Sequence, residues 1–520
     1  MQQDKTYELD FYNYRRAVLF IIMISFIVRA FFAYSFELGN DEVYYWLLAA
    51  NPSWNYFDHP PMFSWFINLF SLNLTFDSEI FVRMSSLIIF SINTWIIYSI
   101  GKEIKTKRTG FIAALLYQSS IYSFVITGIM ILPDTPLSLF WLLTMRSFLI
   151  ALPSKHIDRR EKKHMILSGL FIGLAIISKY QSIILWAGAG IFILLYKRIW
   201  LKKPQLYLAV IISLLIIVPI VLPNLGGSNS NILFQLNRID LFSSIKPLNF
   251  IREFLGQLVY NNPINVILAF TAIFFYHRKK FLEQKIFKIL IWLGISGIFT
   301  FLFFSLFSAT LPHWSAPSYY SLILISAAFL SDRNSKRAFT INKVAIGFLV
   351  IVLIFAYGQI NYGILDSKQN IPKNELGSTD VSLDLYGWGQ ISETFIKKSF
   401  PKHPNTKTLI ARKWYNAAHL DYYIARENSF KMIALGSPND IHEYQRINKL
   451  RGGISNGEDA WFIAVSRSYQ DPFKYFSNDF EYIEPIDTIP ITRNHKIVEY
   501  AFVYYLKSYE KLNHYGLKVP

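Results

Sequence analysis

The chain has no cysteine among its 520 residues. That excludes disulfides, thiolate metal sites and cysteine nucleophiles. Charge is scarce as well: Asp, Glu, Lys and Arg make up 17% of the residues, against 52% hydrophobic and 17% aromatic. A soluble protein of this length would be more polar. Neither a P-loop nor a Rossmann glycine fingerprint is present, which argues against nucleotide chemistry on a cytoplasmic face. There is no internal repeat and no low-complexity tract. A cleavable signal peptide is not expected, because residues 1–16 are polar and the apolar run after them is long enough to span and lacks a small-residue cleavage site.

What is present is a series of apolar runs, several near the roughly 18–20 residues that cross a hydrocarbon core. About eleven spans are expected from hydrophobic length. They lie near 17–36, 80–100, 109–126, 132–151, 164–178, 183–196, 206–222, 262–276, 286–308, 314–330 and 341–360. Segment 62–75 reads as re-entrant or as a further span. The fold class is therefore an α-helical polytopic membrane protein. From about residue 366 hydropathy falls and charge rises. Strand-like Trp461–Ser466 and Val498–Leu506 and helix-like Ala417–Arg426 predict a soluble α/β domain over 366–520, after a membrane domain over 1–365.

The net charge of +17 does not point to nucleic acid. The basic residues sort into alternate loops. Arg15 and Arg16 precede the first span. Lys102, Lys105, Lys107 and Arg108 follow the second, and Lys155, Arg159, Arg160, Lys162 and Lys163 the fourth. Lys197, Arg198, Lys202 and Lys203, then Arg278, Lys279, Lys280 and Lys285, then Arg333, Lys336 and Arg337 follow the sixth, eighth and tenth. This is the positive-inside pattern with a cytoplasmic N-terminus in the inner (plasma) membrane. It puts the first loop (37–79), the 224–261 loop and the C-terminal domain on the extracytoplasmic side.

The first loop holds Glu37, Asp41, Glu42, Asp58 and His59 and no Lys or Arg. Asp41 and Glu42 stand where an amphipathic helix can start, with Asn40 or Asp41 as N-cap and Tyr44, Tyr45, Trp46 and Leu47 as an interfacial face. Asp41 is read either as that cap or as a general base on an acceptor hydroxyl. Asp58-His59-Pro60-Pro61 is a turn leading into a helix, with Asp58 able to cap it. His59 is a poor metal candidate, since a single His among acids lacks ligand spacing; a divalent metal is otherwise left open and no cofactor is expected. Arg83 near the outer end of the second span either snorkels to the interface or pairs with Asp41 or a substrate phosphate. Asp134, before Thr135-Pro136, is a helix start or a second active carboxylate at the membrane edge. Lys179 offers a cation for a phosphate and His313 a donor, while Tyr180 and Trp314 suit an aromatic belt. Gln235 and Arg238 carry less weight. Carboxylates, cations and aromatics on one face suit transfer of a sugar from a lipid phosphate.

Six pieces occur in order: Asp41-Glu42-Val43-Tyr44-Tyr45-Trp46, Tyr56-Phe57-Asp58-His59-Pro60-Pro61-Met62, Phe81-Val82-Arg83, Pro133-Asp134-Thr135-Pro136, Ser178-Lys179-Tyr180 and His313-Trp314-Ser315-Ala316-Pro317. With them, residues 15–330 resemble the polytopic GT-C glycosyltransferases that use polyprenyl-phosphate sugars. The nearest resemblance is to the branch holding lipid A aminoarabinose transferase and the protein O-mannosyltransferases. It implies a GT-C fold of about 11–13 transmembrane helices and inverting transfer from an undecaprenyl-phosphate-type donor. It also implies catalysis by Asp41, with Glu42 and Asp134 in support, and phosphate contacts from Arg83, Lys179, Tyr180, Arg238 and His313. Asp58, His59 and Tyr45 would shape the loop. One departure concerns the acceptor. Some lipid A transferases carry a Lys close to the first-loop Pro-Pro, where this chain has His59 and Met62. A membrane lipid, a glycan or a protein hydroxyl is each a candidate acceptor. The competing reading is a transporter or flippase for lipid-linked sugars, which the lack of an internal repeat disfavours. A sensor would need fewer spans.

Overall fold

The computed structural model describes residues 13–224, 244–365 and 371–510. Along the chain, α1 (Tyr14–Ser35) is followed by the short α2 (Asn40–Ala50) and α3 (Met62–Phe70). Then come α4 (Met84–Ile104), α5 (Lys107–Ser119), α6 (Asp134–Ala151), α7 (Arg159–Ile176), α8 (Ile184–Tyr196) and α9 (Pro204–Asn224). They are followed by α10 (Pro247–Tyr260), α11 (Pro263–Tyr276), α12 (Gln284–Ser305), α13 (Tyr319–Ser331) and α14 (Ser335–Tyr362). A helix stands at each of the positions where hydrophobic length predicts a span. Among the described residues, α1, α4, α9, α12 and α14 are long and apolar enough to cross a bilayer alone, and α10 with α11, bent by 96°, makes a sixth if the pair counts as one span. The chain is a multi-pass membrane protein. Helix α3 has nine residues, about 14 Å at the usual rise, too short to cross a roughly 30 Å core. The 224–261 stretch, expected as a loop, contains α10.

Two compact units can be distinguished. One gathers the chain up to Ala33, His59–Phe66 and Arg83–Val352; the other gathers Tyr34–Asp58, Ile67–Val82 and the chain from Leu353.

In the first unit, apolar side chains such as Leu19, Phe20, Ile27 and Phe31 of α1 stay exposed, as a lipid-facing helix requires. The inward face is more polar. Arg29 is fully buried, with Nη1 donating to the Leu87 and Gly128 carbonyls at 2.9 and 3.3 Å and Nη2 to Ser91 Oγ at 3.2 Å. Its guanidinium lies 4.0 Å from the centroid of the Phe90 ring. Helices α7 and α9 touch at Gly169, where an added Cβ would fall 2.1 Å from the Ala209 carbonyl oxygen. Small residues permit such close backbone approach between membrane helices.

In the second unit, strands β1 (Thr408–Ala411), β2 (Lys431–Ala434), β3 (Ala460–Val465), β4 (Phe480–Arg493) and β5 (Lys496–Tyr509) form one sheet in the order β2-β1-β3-β5-β4. The first three are parallel neighbours; β5 runs antiparallel to both β3 and β4. The expected strands at 461–466 and 498–506 are β3 and part of β5. The expected helix at 417–426 is α15 (Trp414–Leu420) continued by a wider turn over Asp421–Ala425.

Helix α2 belongs to this unit, and residues 43–49 are all buried in it. Tyr44 packs 4.9 Å from Trp414, and Trp46 meets Tyr422 edge-on at 5.0 Å. The interfacial face expected of Tyr44–Leu47 is instead a packed core face. The helix cap also differs: Gly39 is the N-cap and Asn40 the first helical residue. Flanking segments are tied in by further contacts. Glu37 accepts from the Trp388 and Gly389 amides at 2.8 and 2.9 Å, the Tyr423 hydroxyl accepts from Leu38 N–H at 2.7 Å, and Arg426 pairs with Asp77 at 3.1 Å.

Candidate functional site

In the first unit, Asp134 opens α6 and is buried. Lys179 leads the short turn Tyr180–Ile183 after α7. Its Nζ lies 2.7 Å from Asp134 Oδ2. Tyr122 sits in a wide turn, Tyr122–Ile126, beyond the end of α5, and its hydroxyl donates to Asp134 Oδ1 at 2.9 Å. Widened helical turns of this kind recur at functional sites because they re-aim a side chain. His313 stands in the tight turn Pro312–Trp314 and is an electrostatic neighbour of Asp134. Tyr260 of α10 lies beside it, with ring centroids 6.3 Å apart. Asp134, Lys179 and His313, singled out separately in the sequence, are therefore one cluster. A lysine held by a buried carboxylate is a preformed cation for an anionic ligand.

The other candidates in the first unit have partners of their own. Arg83 is buried at the N-cap of α4, with Nη1 donating to the Ala33 carbonyl at 2.8 Å. His59 meets Phe63 edge-on at 6.2 Å. Tyr180 packs on the apolar group of Met62, Ile177 and Ile220. Arg238 and Gln235 lie outside the described residues.

In the second unit, Asp41 is exposed in the first turn of α2. Glu42 is fully buried and its Oε2 accepts from Gly39 N–H at 3.1 Å. Asp384 Oδ2 accepts from Asn40 N–H at 3.3 Å. Burial pushes the Asp384 carboxyl above its ordinary value, with Arg467 opposing the shift. The positive end of the helix dipole and its free amides account for this gathering of acids. Tyr45 is buried against Tyr44.

Asp58 does not cap α3, which begins at Met62. It accepts from the Tyr44 hydroxyl at 3.2 Å and faces His442 Nδ1 at 3.4 Å. The His442 ring is layered between Phe57 at 5.0 Å and Trp414 at 5.2 Å. Its backbone holds φ +50°, a conformation costly for a residue with a Cβ and common where structure is functionally constrained. Glu443 accepts from Phe57 N–H at 2.7 Å and pairs with Arg446. Burial raises the Glu443 carboxyl above its ordinary range, and Arg446 lowers it. Among the described residues no group of three or more His, Asp or Glu is arranged to hold a metal ion.

Residues 58–222, about a third of the chain, match the family model described as dolichyl-phosphate-mannose-protein mannosyltransferase. ArnT from Cupriavidus metallidurans shares the architecture over almost its full length. Its apo structure aligns with a TM-score of 0.64 at 14% identity, covering 95% of this chain and 97% of that one. Its structure bound to undecaprenyl phosphate aligns with a TM-score of 0.66 at 14% identity, covering 95% and 98%.

The chain has the GT-C fold.

A looser likeness, with a TM-score of 0.49 at 12% identity, is to the apo oligosaccharyltransferase of Archaeoglobus fulgidus, covering 88% of this chain and 70% of that one. No curated protein matches the chain in sequence. Within this GT-C chain, several residues at or near the two clusters carry little signal in the sequence. Tyr122 was hidden among many aromatics. Glu253 and Gln257 are the only buried residues of α10, in a stretch read as a loop. His442, Trp414 and Glu443 lie more than 350 positions from the loop they join. Their signal, a short His-Glu pair after Pro438, is too common to stand out.

Proposed function

We propose that the protein is an integral-membrane glycosyltransferase. It moves a sugar from a polyprenyl monophosphate of the undecaprenyl type to an acceptor hydroxyl or phosphate on the extracytoplasmic face, with inversion at the anomeric carbon. The observation that carries this reading is the buried Asp134–Lys179 pair with Tyr122 and His313 beside it. The GT-C fold, the family-model match and the relative solved with undecaprenyl phosphate support the donor class.

Asp41 is the proposed base. It is exposed at the start of a helix otherwise locked in place, so it can take the acceptor proton as the hydroxyl attacks. Glu42 fixes that start by holding the Gly39 amide. Lys179 and His313, with Arg83, would stabilise the charge left on the departing lipid phosphate. Arg238 and Tyr180 would contribute further contacts. The C-terminal domain, with the loop around Asp58, His59 and Tyr45, would shape acceptor access. The N-terminus would be cytoplasmic and the C-terminal domain extracytoplasmic in the inner membrane.

The test is a reconstituted assay with labelled polyprenyl-phosphate sugars and a membrane extract, read by mass spectrometry of the product. Covalent transfer by the native protein and its loss in a folded Asp41→Asn variant are expected. Near-normal transfer by that variant removes Asp41 from the mechanism. Movement of the labelled lipid without any covalent product would make the protein a transporter.

A further inference from the structure

Helix α10 is amphipathic in the reverse sense to a soluble helix. Leu248, Ile251, Phe254, Leu255 and Val259 are exposed, and the buried side chains are Glu253 and Gln257. In a bilayer the apolar face meets lipid, and a charge turned inward must be matched by partners or by a task. Glu253 has its partners. Its Oε1 accepts from Gln257 Nε2 at 2.8 Å, and its Oε2 from the Thr310 hydroxyl at 2.8 Å. Gln257 Oε1 in turn accepts from the Tyr319 hydroxyl at 2.9 Å. Two neutral donors are a poor return for burying a carboxylate if stability alone is at stake.

What the network holds is the turn that carries His313. Thr310 precedes that turn, and Tyr319 begins α13 just after it. Between them, Gly256 presses on Pro312: an added Cβ would fall 2.2 Å from Pro312 Cγ. One turn further along α10, the Tyr260 ring lies against the His313 ring. Residues 253, 256, 257 and 260 fall on one helical stripe, and the stripe grips residues 310–319 at each step.

We infer that Glu253 is a positioning residue. Through Thr310, and with the Gly256–Pro312 contact, it sets the place of the His313 imidazole beside the Asp134–Lys179 pair. This rests on the transferase reading, in which His313 acts on the departing phosphate. Glu253 itself touches neither donor nor acceptor in this scheme. A displaced His313 would weaken stabilisation of the transition state more than donor binding.

The experiment compares steady-state transfer by full-length native protein, Glu253→Gln, Thr310→Val, the double variant, His313→Ala, His313→Ala/Glu253→Gln and His313→Ala/Thr310→Val, with thermal unfolding of each in detergent. Glu253→Gln and Thr310→Val should each lower kcat about tenfold with donor KM changed less than twofold. The double variant should be no worse than either single one, as expected for residues acting as a unit. In the His313→Ala background, Glu253→Gln should have no further effect on kcat. A tenfold further loss there, or native kcat in both single variants, overturns the inference. If Glu253→Gln unfolds, the Thr310→Val comparison with and without His313 carries the same decision. Absence of transfer by the native protein counts against the transferase reading instead, and is distinguished by that result alone.

Discussion

Lys179 places its ammonium 2.7 Å from a carboxylate oxygen of Asp134, and both side chains are largely out of solvent. The two residues lie on different helical segments and hold them at one point. Removing one partner of a buried pair strands the other charge, at a cost of about 3–5 kcal/mol. Lys179→Met should therefore lower the thermal unfolding midpoint markedly and abolish transfer. Lys179→Met with Asp134→Leu should recover most of the midpoint and none of the transfer. Recovery of activity in the double variant would make the pair structural only.

Arg29 reaches two carbonyls and a hydroxyl from one planar head. A lysine ammonium on a single stem does not reproduce that fork. Arg29→Lys is expected to cost about 1–3 kcal/mol, the range for buried polar groups left unmatched. Thermal unfolding in detergent measures it, and an unchanged midpoint would show that the fork is dispensable.

The Tyr44 hydroxyl donates to Asp58 and accepts from the Glu443 amide, each at 3.2 Å. Tyr44→Phe keeps the ring against Trp414 and leaves both groups without that partner. A loss of about 1–3 kcal/mol is expected, read as faster proteolysis of the sheet unit. Native resistance would mean that solvent or a rearranged side chain replaces the hydroxyl.

Glu499 is fully buried, and burial raises its carboxyl to about 7 even with Arg467 nearby. The folded state thus holds a proton that the unfolded chain releases near its ordinary pKa of 4.5. Its contribution to stability is complete below that unfolded value and is lost as pH rises through about 7. Glu499→Gln should flatten the fall in unfolding midpoint between pH 5 and pH 8 relative to the native protein. A native and a variant curve that stay parallel would refute this.

The membrane half of the fold was legible because lipid leaves the backbone few solutions. An apolar run such as 17–36 has to become a helix, and α1 is one. Asp134, Lys179 and His313 were each conspicuous as polar groups at the ends of apolar runs. Their meeting was not legible, since 45 residues separate the first two and only the helix packing brings them together. Helix α10 was missed because its polar residues interrupt the hydropathy that marks a span, though those residues face inward. Tyr44 and Trp46 were misread for the opposite reason. Aromatics near a membrane suit the interface equally well, and only the partners Trp414 and Tyr422 decide between interface and core.

The sheet unit is assembled from pieces at both ends of the described chain: Tyr34–Asp58 and Ile67–Val82 join the chain from Leu353 onward. On the ribosome, α2 emerges long before Trp414, Tyr422 or His442 exist to pack against it. At typical synthesis rates the wait is roughly 20–80 s. During that interval α2 lacks Trp414 and Tyr422, the neighbours it packs against in the finished fold, so a nascent chain with all its spans inserted still has an unfinished sheet unit.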